Sequence, residues 1–418
     1  VFRVVNAIRK EFDIQFTVHE FLINSTFNAV IGLVDDHSKN LISSDTLFDV
    51  DLVGEVSKIT NDIVIDKIFS PGRDFSRAFL TGATGFLGIF LLSELLNKTS
   101  MSVTCLIRSS SVAEGEERLI EAFKTYQIEH ELNEIQSRVE VLIGDVSEKN
   151  LGLSDQVYDD LATSIDIVYH NAANVNAYYP YSALKPDNVD STKNIVNFAI
   201  KNISKPVHYI STPNVLKSKM DGFEVPLHDG LTSGYAQTKW VAEQILVQCF
   251  KNGLPVVIYR PYLIVGDSKT GAWKENDLFY QELMYSIRVG KYPNKGVRYN
   301  LVPVDFVAES IVKTSLNHNS YGKSFHLLSS KDASAEDICG LIRSNEVNCE
   351  LVTISEWILS VQEYVNNNVC PADKQIIEAI IKSDPSDNTH KQGELAYNCS
   401  SLCGVENEIS STAGDAIM

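Results

Sequence analysis

The chain predicts an α/β fold: a doubly wound parallel Rossmann sheet, a smaller and mostly helical C-terminal substrate subdomain, and a short N-terminal helical segment. Three observations predict it. Short apolar runs alternate with helical stretches from about residue 75 to 270, the pattern of parallel strands joined by crossover helices. A glycine-rich turn, Thr81-Gly82-Ala83-Thr84-Gly85-Phe86-Leu87-Gly88, opens the first of these units. Polar residues stand just past the apolar runs, where open parallel sheets bind their ligands.

The elements follow in order. Val1 to Asp36 is unlike the rest: Phe2, Val5, Ile8 and Phe12 share one helical face, and Thr17 and Thr26 cap short helices over 18–23 and 27–34. Some 35 residues are too few for a core of their own, so the segment belongs to a larger bundle or lies as a lid on the main domain. Residues 37–74 are polar, rich in Asp and Ser, and read as a linker. The nucleotide-binding domain is expected over 75–270 and the substrate subdomain over 271–418, with some return of chain to the main sheet near 300–330.

Within 75–270, Ala78-Phe79-Leu80 reads as a buried strand and 89–96 as an apolar helix. The run 78–96 is near the length of a membrane span, but three glycines, two threonines, a serine and Glu94 interrupt it, and the span is rejected. Strands are expected at 102–107, 139–143, 166–169, 207–210 and 256–259, with helices at 114–126, 188–200 and 235–250. Arg108, Asp145 with Val146, Asn171-Ala172-Ala173, Thr212 and Arg260-Pro261 stand just past these strands, and Asp145, Val146, Asn171, Ala172, Ala173 and Pro261 are expected cofactor contacts.

A net charge of -18 argues against nonspecific binding to nucleic acid or an anionic membrane, both of which need basic surface. The seven cysteines are scattered. Cys399 and Cys403 lie close together, but no second Cys/His pair completes a zinc pattern, so free thiols, no metal and a reducing cytoplasmic setting are expected. No signal peptide opens the chain.

The glycine spacing permits a tight turn, close backbone approach to a pyrophosphate, and an open helix N-terminus for phosphate. Gly82, Thr84, Gly85, Phe86, Leu87 and Gly88 are the candidate contacts. Tyr235 and Lys239, four residues apart, share a helix face. Reduction of a carbonyl by hydride needs a proton donor, and an ammonium one turn from a tyrosine favours its phenolate and lowers its pKa. Thr212 offers a hydroxyl for the carbonyl oxygen. Each residue singly fits an ordinary structural role; together at one end of one sheet they form a site.

These residues identify a resemblance. Residues 81–88, Gly144-Asp145, Tyr169-His170-Asn171-Ala172-Ala173, Tyr179-Pro180-Tyr181, Ser211-Thr212, Gly234-Tyr235-Ala236-Gln237-Thr238-Lys239-Trp240 with Glu243, Arg260-Pro261 and Val302-Pro303-Val304-Asp305 resemble the extended short-chain dehydrogenase/reductase superfamily. Within it, the chain resembles the thioester reductase domains of nonribosomal peptide synthetases, carboxylic acid reductases and aminoadipate reductases. The match is good over about 75–330.

The resemblance implies Thr212, Tyr235 and Lys239 as the catalytic set, with Lys239 also on the nicotinamide ribose. It assigns Arg108 to the 2′-phosphate of NADPH, which agrees with the rule that an arginine there accommodates the phosphate whereas an acid selects NAD. Arg118 assists or serves as an ion-pair partner on its helix. The segment 1–36 resembles the last helices of a carrier domain, cut after the serine that bears phosphopantetheine.

The expected function is NADPH-dependent release of a carrier-bound acyl or peptidyl thioester as an aldehyde, with further reduction to an alcohol left open. The alternatives are a fatty acyl-CoA reductase and a catalytically silent nucleotide-binding scaffold. Sugar-nucleotide epimerases share the fold but retain NAD, against which Arg108 counts.

Overall fold

The computed structural model describes residues 50–66, 69, 74–128, 135, 137–176, 179–217, 221–367 and 407–413, helix 27–38, and five isolated positions nearer the N-terminus. Two helices precede the first strand, α1 (Phe27–Ser38) and α2 (Leu52–Thr60). Then come β1 (Arg77–Thr81), α3 (Phe86–Lys98), β2 (Ser102–Ile107), α4 (Val112–Thr125), β3 (Val139–Ile143), α5 (Asp155–Ser164) and β4 (Ile167–His170). The chain continues through α6 (Tyr181–Lys185), α7 (Ser191–Ile200), β5 (Val207–Ile210), α8 (Gly234–Lys251), β6 (Val256–Pro261) and β7 (Leu263–Val265). It closes with α9 (Leu278–Val289), β8 (Lys291–Pro293), β9 (Leu301–Pro303), α10 (Val304–Ser315), β10 (Lys323–Ser329), α11 (Ala335–Ser344), β11 (Glu350–Val352), α12 (Ile354–Asn367) and β12 (Asn407–Ala413).

The main sheet has the order β12-β10-β6-β5-β4-β1-β2-β3. Seven strands are parallel, and β12 lies antiparallel on β10. The order reverses between β1 and β4, which makes the crevice at their carboxyl ends the ligand site of such a sheet. The strands are nearly continuous apolar runs because helices cover both faces. On one face α2, α5, α7 and α8 enclose Phe79, Val168, Val207, Tyr209 and Ile258. On the other, α3, α4 and α10 enclose Leu80, Cys105, Tyr169 and Tyr259.

The expected α/β architecture is therefore present, and two boundaries differ. Residues 37–74 hold α2, whose Leu52, Val56 and Ile59 are buried with Ile63 in the core under α8. Asp51 caps this helix by accepting from the Gly54 N–H, and Glu55 reaches Lys185 at 2.6 Å. Part of the supposed linker is thus a wall of the nucleotide domain. At the other end, the polar residues 407–413 return to the main sheet as β12 rather than staying with the subdomain.

The return of chain near 300–330 is α10 and β10. The rest of the subdomain is α9, α11 and α12 around the parallel pair β8–β11, packed on Phe279, Tyr292, Ile338 and Cys339 and on Tyr285, Trp357 and Val361.

Helix α1 agrees with the expected 27–34 helix and runs four residues further. Phe2, Val5, the 18–23 helix as a whole, Cys399 and Cys403 lie outside the described residues. Cys105, Cys249, Cys339 and Cys349 are buried free thiols. No helix among the described residues is long and apolar enough to cross a membrane, and no cluster of His, Cys, Asp or Glu among them is arranged to hold a metal ion.

Candidate active site

The glycine turn links β1 to α3. Gly82 adopts φ +72, a conformation that side chains rarely tolerate, and its carbonyl accepts the Gly85 N–H at 3.1 Å. A Cβ at Gly88 would stand 1.9 Å from the Gly82 carbonyl oxygen, so only glycine lets α3 begin this close to the turn. No side chain caps α3: its N-cap is Gly85, and the first-turn N–H groups of Phe86 and Leu87 keep their donors for a ligand. A Cβ at Gly82 would meet the Ala172 backbone at 2.9 Å. The turn is therefore clamped against the end of β4.

His170-Asn171-Ala172-Ala173 supplies that clamp. The Asn171 amide and the Ala172 N–H both donate to Thr81 Oγ1, at 3.1 and 3.0 Å, and Asn171 Nδ2 donates to the Gly82 carbonyl. His170 is buried between the hydroxyls of Thr81 and Thr192, 3.0 and 3.3 Å away. Burial and the nearby Lys239 charge hold its pKa down to about 3, so it stays neutral. The sequence marks His170 only as part of its motif; its signal is a polar ring ending an otherwise apolar strand.

Arg108 follows β2. Its side chain is 70% exposed, with Asp187 and Asp145 carboxylates at 3.6 and 3.8 Å. These are loose, solvated pairs of little energy, and they leave the guanidinium free to take a phosphate. Arg118 donates to the Arg108 backbone carbonyl. Asp145 turns the chain after β3, accepting from the N–H and hydroxyl of Ser147, while the Val146 carbonyl accepts from Asn194. Asp145 and Val146 thus shape the rim of the crevice. Ala173 and Thr84 line the same loops, and Pro261 ends β6.

The elements that carry the three proposed chemical groups meet at the end of β5. Thr212 is nearly buried and caps a short 3-10 turn, its Oγ1 accepting from the Asn214 N–H at 3.3 Å. Helix α8 begins opposite it, capped by Ser233. A Cβ at Gly234 would come within 2.4–2.5 Å of the Tyr179 carbonyl and the next peptide units, so this glycine seats the Tyr179-Pro180-Tyr181 segment on the start of α8. Tyr235 lies in the first turn, half-buried, and Lys239 one turn later is almost wholly buried. Lys239 Nζ donates to the Ile210 carbonyl at 2.7 Å and lies 4.1 Å from the centre of the Tyr209 ring.

The electrostatics differ from expectation. Burial pushes the Tyr235 phenol above its ordinary range, and no nearby cation among the described residues offsets it. Desolvation instead acts on Lys239, lowering its pKa to about 7 against a smaller upward pull from Glu243. The expected depression of Tyr235 by Lys239 is absent because the ammonium faces the Ile210 carbonyl and the Tyr209 ring. Glu243 and Arg260 form a fully buried pair at 2.7 Å, and Arg260 also donates to the Gly222 carbonyl. That pair ties α8 to β6 and the 222–223 segment; it is scaffold beneath the site.

Comparison with known proteins settles the family. The male sterility protein family, a NAD-binding family, matches residues 80–311, more than half of the chain. The chain belongs to this family. It is a nicotinamide-dependent oxidoreductase domain of the thioester reductase type.

Its structure is similar to the terminal R domain from the myxalamid PKS-NRPS biosynthetic pathway, with a TM-score of 0.72 and 31% identity, covering 79% of this chain and 85% of that one. A linear gramicidin synthase of Brevibacillus parabrevis is 39% identical over 69% of this chain and 6% of its own length. The L-2-aminoadipate reductase of Candida glabrata, in its large chain, is 37% identical over 57% of this chain and 19% of its own. The reductase domain thus spans a small part of these two curated relatives.

Proposed function

We propose that this reductase domain releases an acyl or peptidyl thioester from the phosphopantetheine arm of a carrier domain as an aldehyde, using NADPH. The observation that supports the reading is the meeting of the Thr212 turn with the first turns of α8, where Lys239 reaches the Ile210 carbonyl, on the same edge of the sheet as an uncapped glycine turn. The turn and the exposed Arg108 fit a dinucleotide with a 2′-phosphate: the turn leaves no room for a Cβ, and Arg108 offers a bidentate fork to a dianion. The myxalamid R domain and the gramicidin synthase, both from assembly-line pathways by name, support a carrier-bound substrate. So does the resemblance of the sequence over 1–36 to the last helices of a carrier domain.

The bound cofactor supplies the hydride. Thr212 orients the thioester carbonyl through its hydroxyl. Tyr235, held protonated by its burial, gives its proton to the oxyanion that forms, and the Lys239 ammonium steadies the resulting phenolate. The hemithioacetal then collapses: its hydroxyl proton returns to the Tyr235 phenolate, the C–S bond breaks, and the departing thiolate takes up a proton from solvent.

Tyr235→Phe tests the assignment. Turnover is expected to fall about 100- to 10,000-fold with cofactor binding unchanged. Turnover within about twofold of the parent would remove Tyr235 from the reaction. Comparing carrier-bound with CoA thioesters separates this function from a fatty acyl-CoA reductase.

A further inference from the structure

We propose that Tyr209 is a positioning residue for this reaction, its ring face holding the Lys239 ammonium at the end of β5, a role that rests on Lys239 belonging to the catalytic set. Consecutive residues of one strand make both close contacts to Nζ: the Ile210 carbonyl takes a hydrogen bond at 2.7 Å, and the Tyr209 ring centre lies 4.1 Å away. A cation within about 6 Å of an aromatic face is attracted by the ring quadrupole, and most strongly when water is excluded. Lys239 and Tyr209 are each 1% exposed.

Among the described residues, no other group is dedicated to the ammonium. The titratable groups that act on Lys239 or lie against it are Glu243 on its own helix, His170 from β4 and Tyr209 from β5. Glu243 is bound through both oxygens to Arg260, so its charge is shared with a guanidinium. His170 is held neutral between two hydroxyls and offers no countercharge. Tyr235 is protonated. The ring face and one carbonyl are therefore the close contacts that hold the buried ammonium in place, beside a smaller pull from Glu243. Desolvation already brings Lys239 to about 7, close to where loss of the ring would be felt at working pH.

The Tyr209 hydroxyl faces Thr192 and has no hydrogen-bond partner of good geometry among the described residues. Removing it alone leaves the face intact. Tyr209→Phe should therefore behave as the parent, whereas Tyr209→Leu should not.

The test follows Lys239 directly in the full chain. The 13Cε resonance of Lys239, assigned by its loss in Lys239→Arg, is titrated in the parent, Tyr209→Phe and Tyr209→Leu. The midpoint is expected to fall by about one pH unit in Tyr209→Leu and to stay in place in Tyr209→Phe. Turnover of Tyr209→Leu should then drop about tenfold at pH 8 and hardly at all near pH 5.5, because a base with a lower midpoint loses its charge sooner. If the leucine variant does not fold by circular dichroism, Tyr209→Met, which also lacks a ring, takes its place.

An unchanged midpoint in the ringless variant, or equal shifts in the phenylalanine and ringless variants, would overturn the proposal. A shifted midpoint with an unchanged pH profile of turnover would uphold the hold on Lys239 and remove Lys239 from the catalytic set.

Discussion

Deleting residues 1–49 and deleting residues 1–63 should have opposite consequences, although both remove the carrier-like segment. None of the described residues before position 50 is buried, and Phe27 on α1 is 80% exposed. The shorter deletion therefore removes no described core residue. The longer one removes Leu52, Val56, Ile59 and Ile63, all at most 9% exposed and packed under α8. Burying one such side chain contributes about 1.5–3 kcal/mol, so four contribute roughly 6–12 kcal/mol as an upper estimate, since the unfolded chain is not fully extended. That is comparable to the whole stability of an ordinary domain, about 5–15 kcal/mol.

The loss also removes α2 from the face of α8 it packs on and leaves Lys185 without its Glu55 partner. Melting curves followed by circular dichroism, with turnover of a small soluble thioester, form the assay. The 50–418 chain should melt within a few degrees of the parent and keep its turnover. The 64–418 chain should fail to fold or melt far lower. A stable, active 64–418 chain would show that α2 is an appendage, and an unstable 50–418 chain would show that the first 49 residues are an integral lid.

Arg108→Ala should weaken NADPH by about 10- to 150-fold, the effect of losing a charge-assisted contact of about 1.5–3 kcal/mol, and leave NADH nearly unchanged; equal losses in fluorescence titrations would make Arg108 structural. Gly88→Ala places a Cβ 1.9 Å from the Gly82 oxygen and should abolish dinucleotide binding, whereas Gly32→Ala, with nothing within 4 Å, should be silent; retained binding by the first would refute the clamp. His170 and His208, both depressed to about 3 by burial, bind protons in the unfolded chain first. Stability should therefore fall as pH drops below about 6.5, by on the order of 2 kcal/mol per histidine at pH 5, and a flat unfolding free energy between pH 7 and 5 would contradict it.

The strands and the site they carry were legible because a sheet buried on both faces writes itself as apolar runs, and each run here ends in a polar residue at the crevice: Arg108, Asp145, Asn171, Thr212. Helix α2 was less legible. Its apolar residues stand at 52, 56, 59 and 63, a one-faced helical spacing, but nine helical residues between Asp/Ser-rich flanks carry the composition of a linker. Glu243 and Arg260 were recognisable as motif residues, yet their pairing crosses from helix to strand and has no sequence spacing to reveal it. The same holds for His170, whose partners Thr81 and Thr192 lie on either side of it in space and far from each other in sequence. The Tyr235/Lys239 pair was found by spacing alone, but spacing says nothing of solvation. Burial decides both pKa values, and it moves them away from the simple picture of a lysine acidifying its neighbour.

That reversal bears on the proposed step. A phenol raised by burial is protonated at neutral pH, as an ordinary tyrosine is, but it is a weaker acid, so its proton transfer to the oxyanion relies on stabilisation of the phenolate left behind. Lys239 is the complement. Near pH 7 it is divided between charged and neutral forms, so a small change in its surroundings shifts its state by a large fraction. When Tyr235 gives up its proton, the new negative charge one turn away favours the ammonium and is in turn stabilised by it. On the proposed mechanism the two residues exchange roles across the step: the tyrosine is neutral and the lysine poised before it, and the ion pair exists only after it. Stabilisation confined to the charged stage accelerates the reaction rather than merely tightening the substrate.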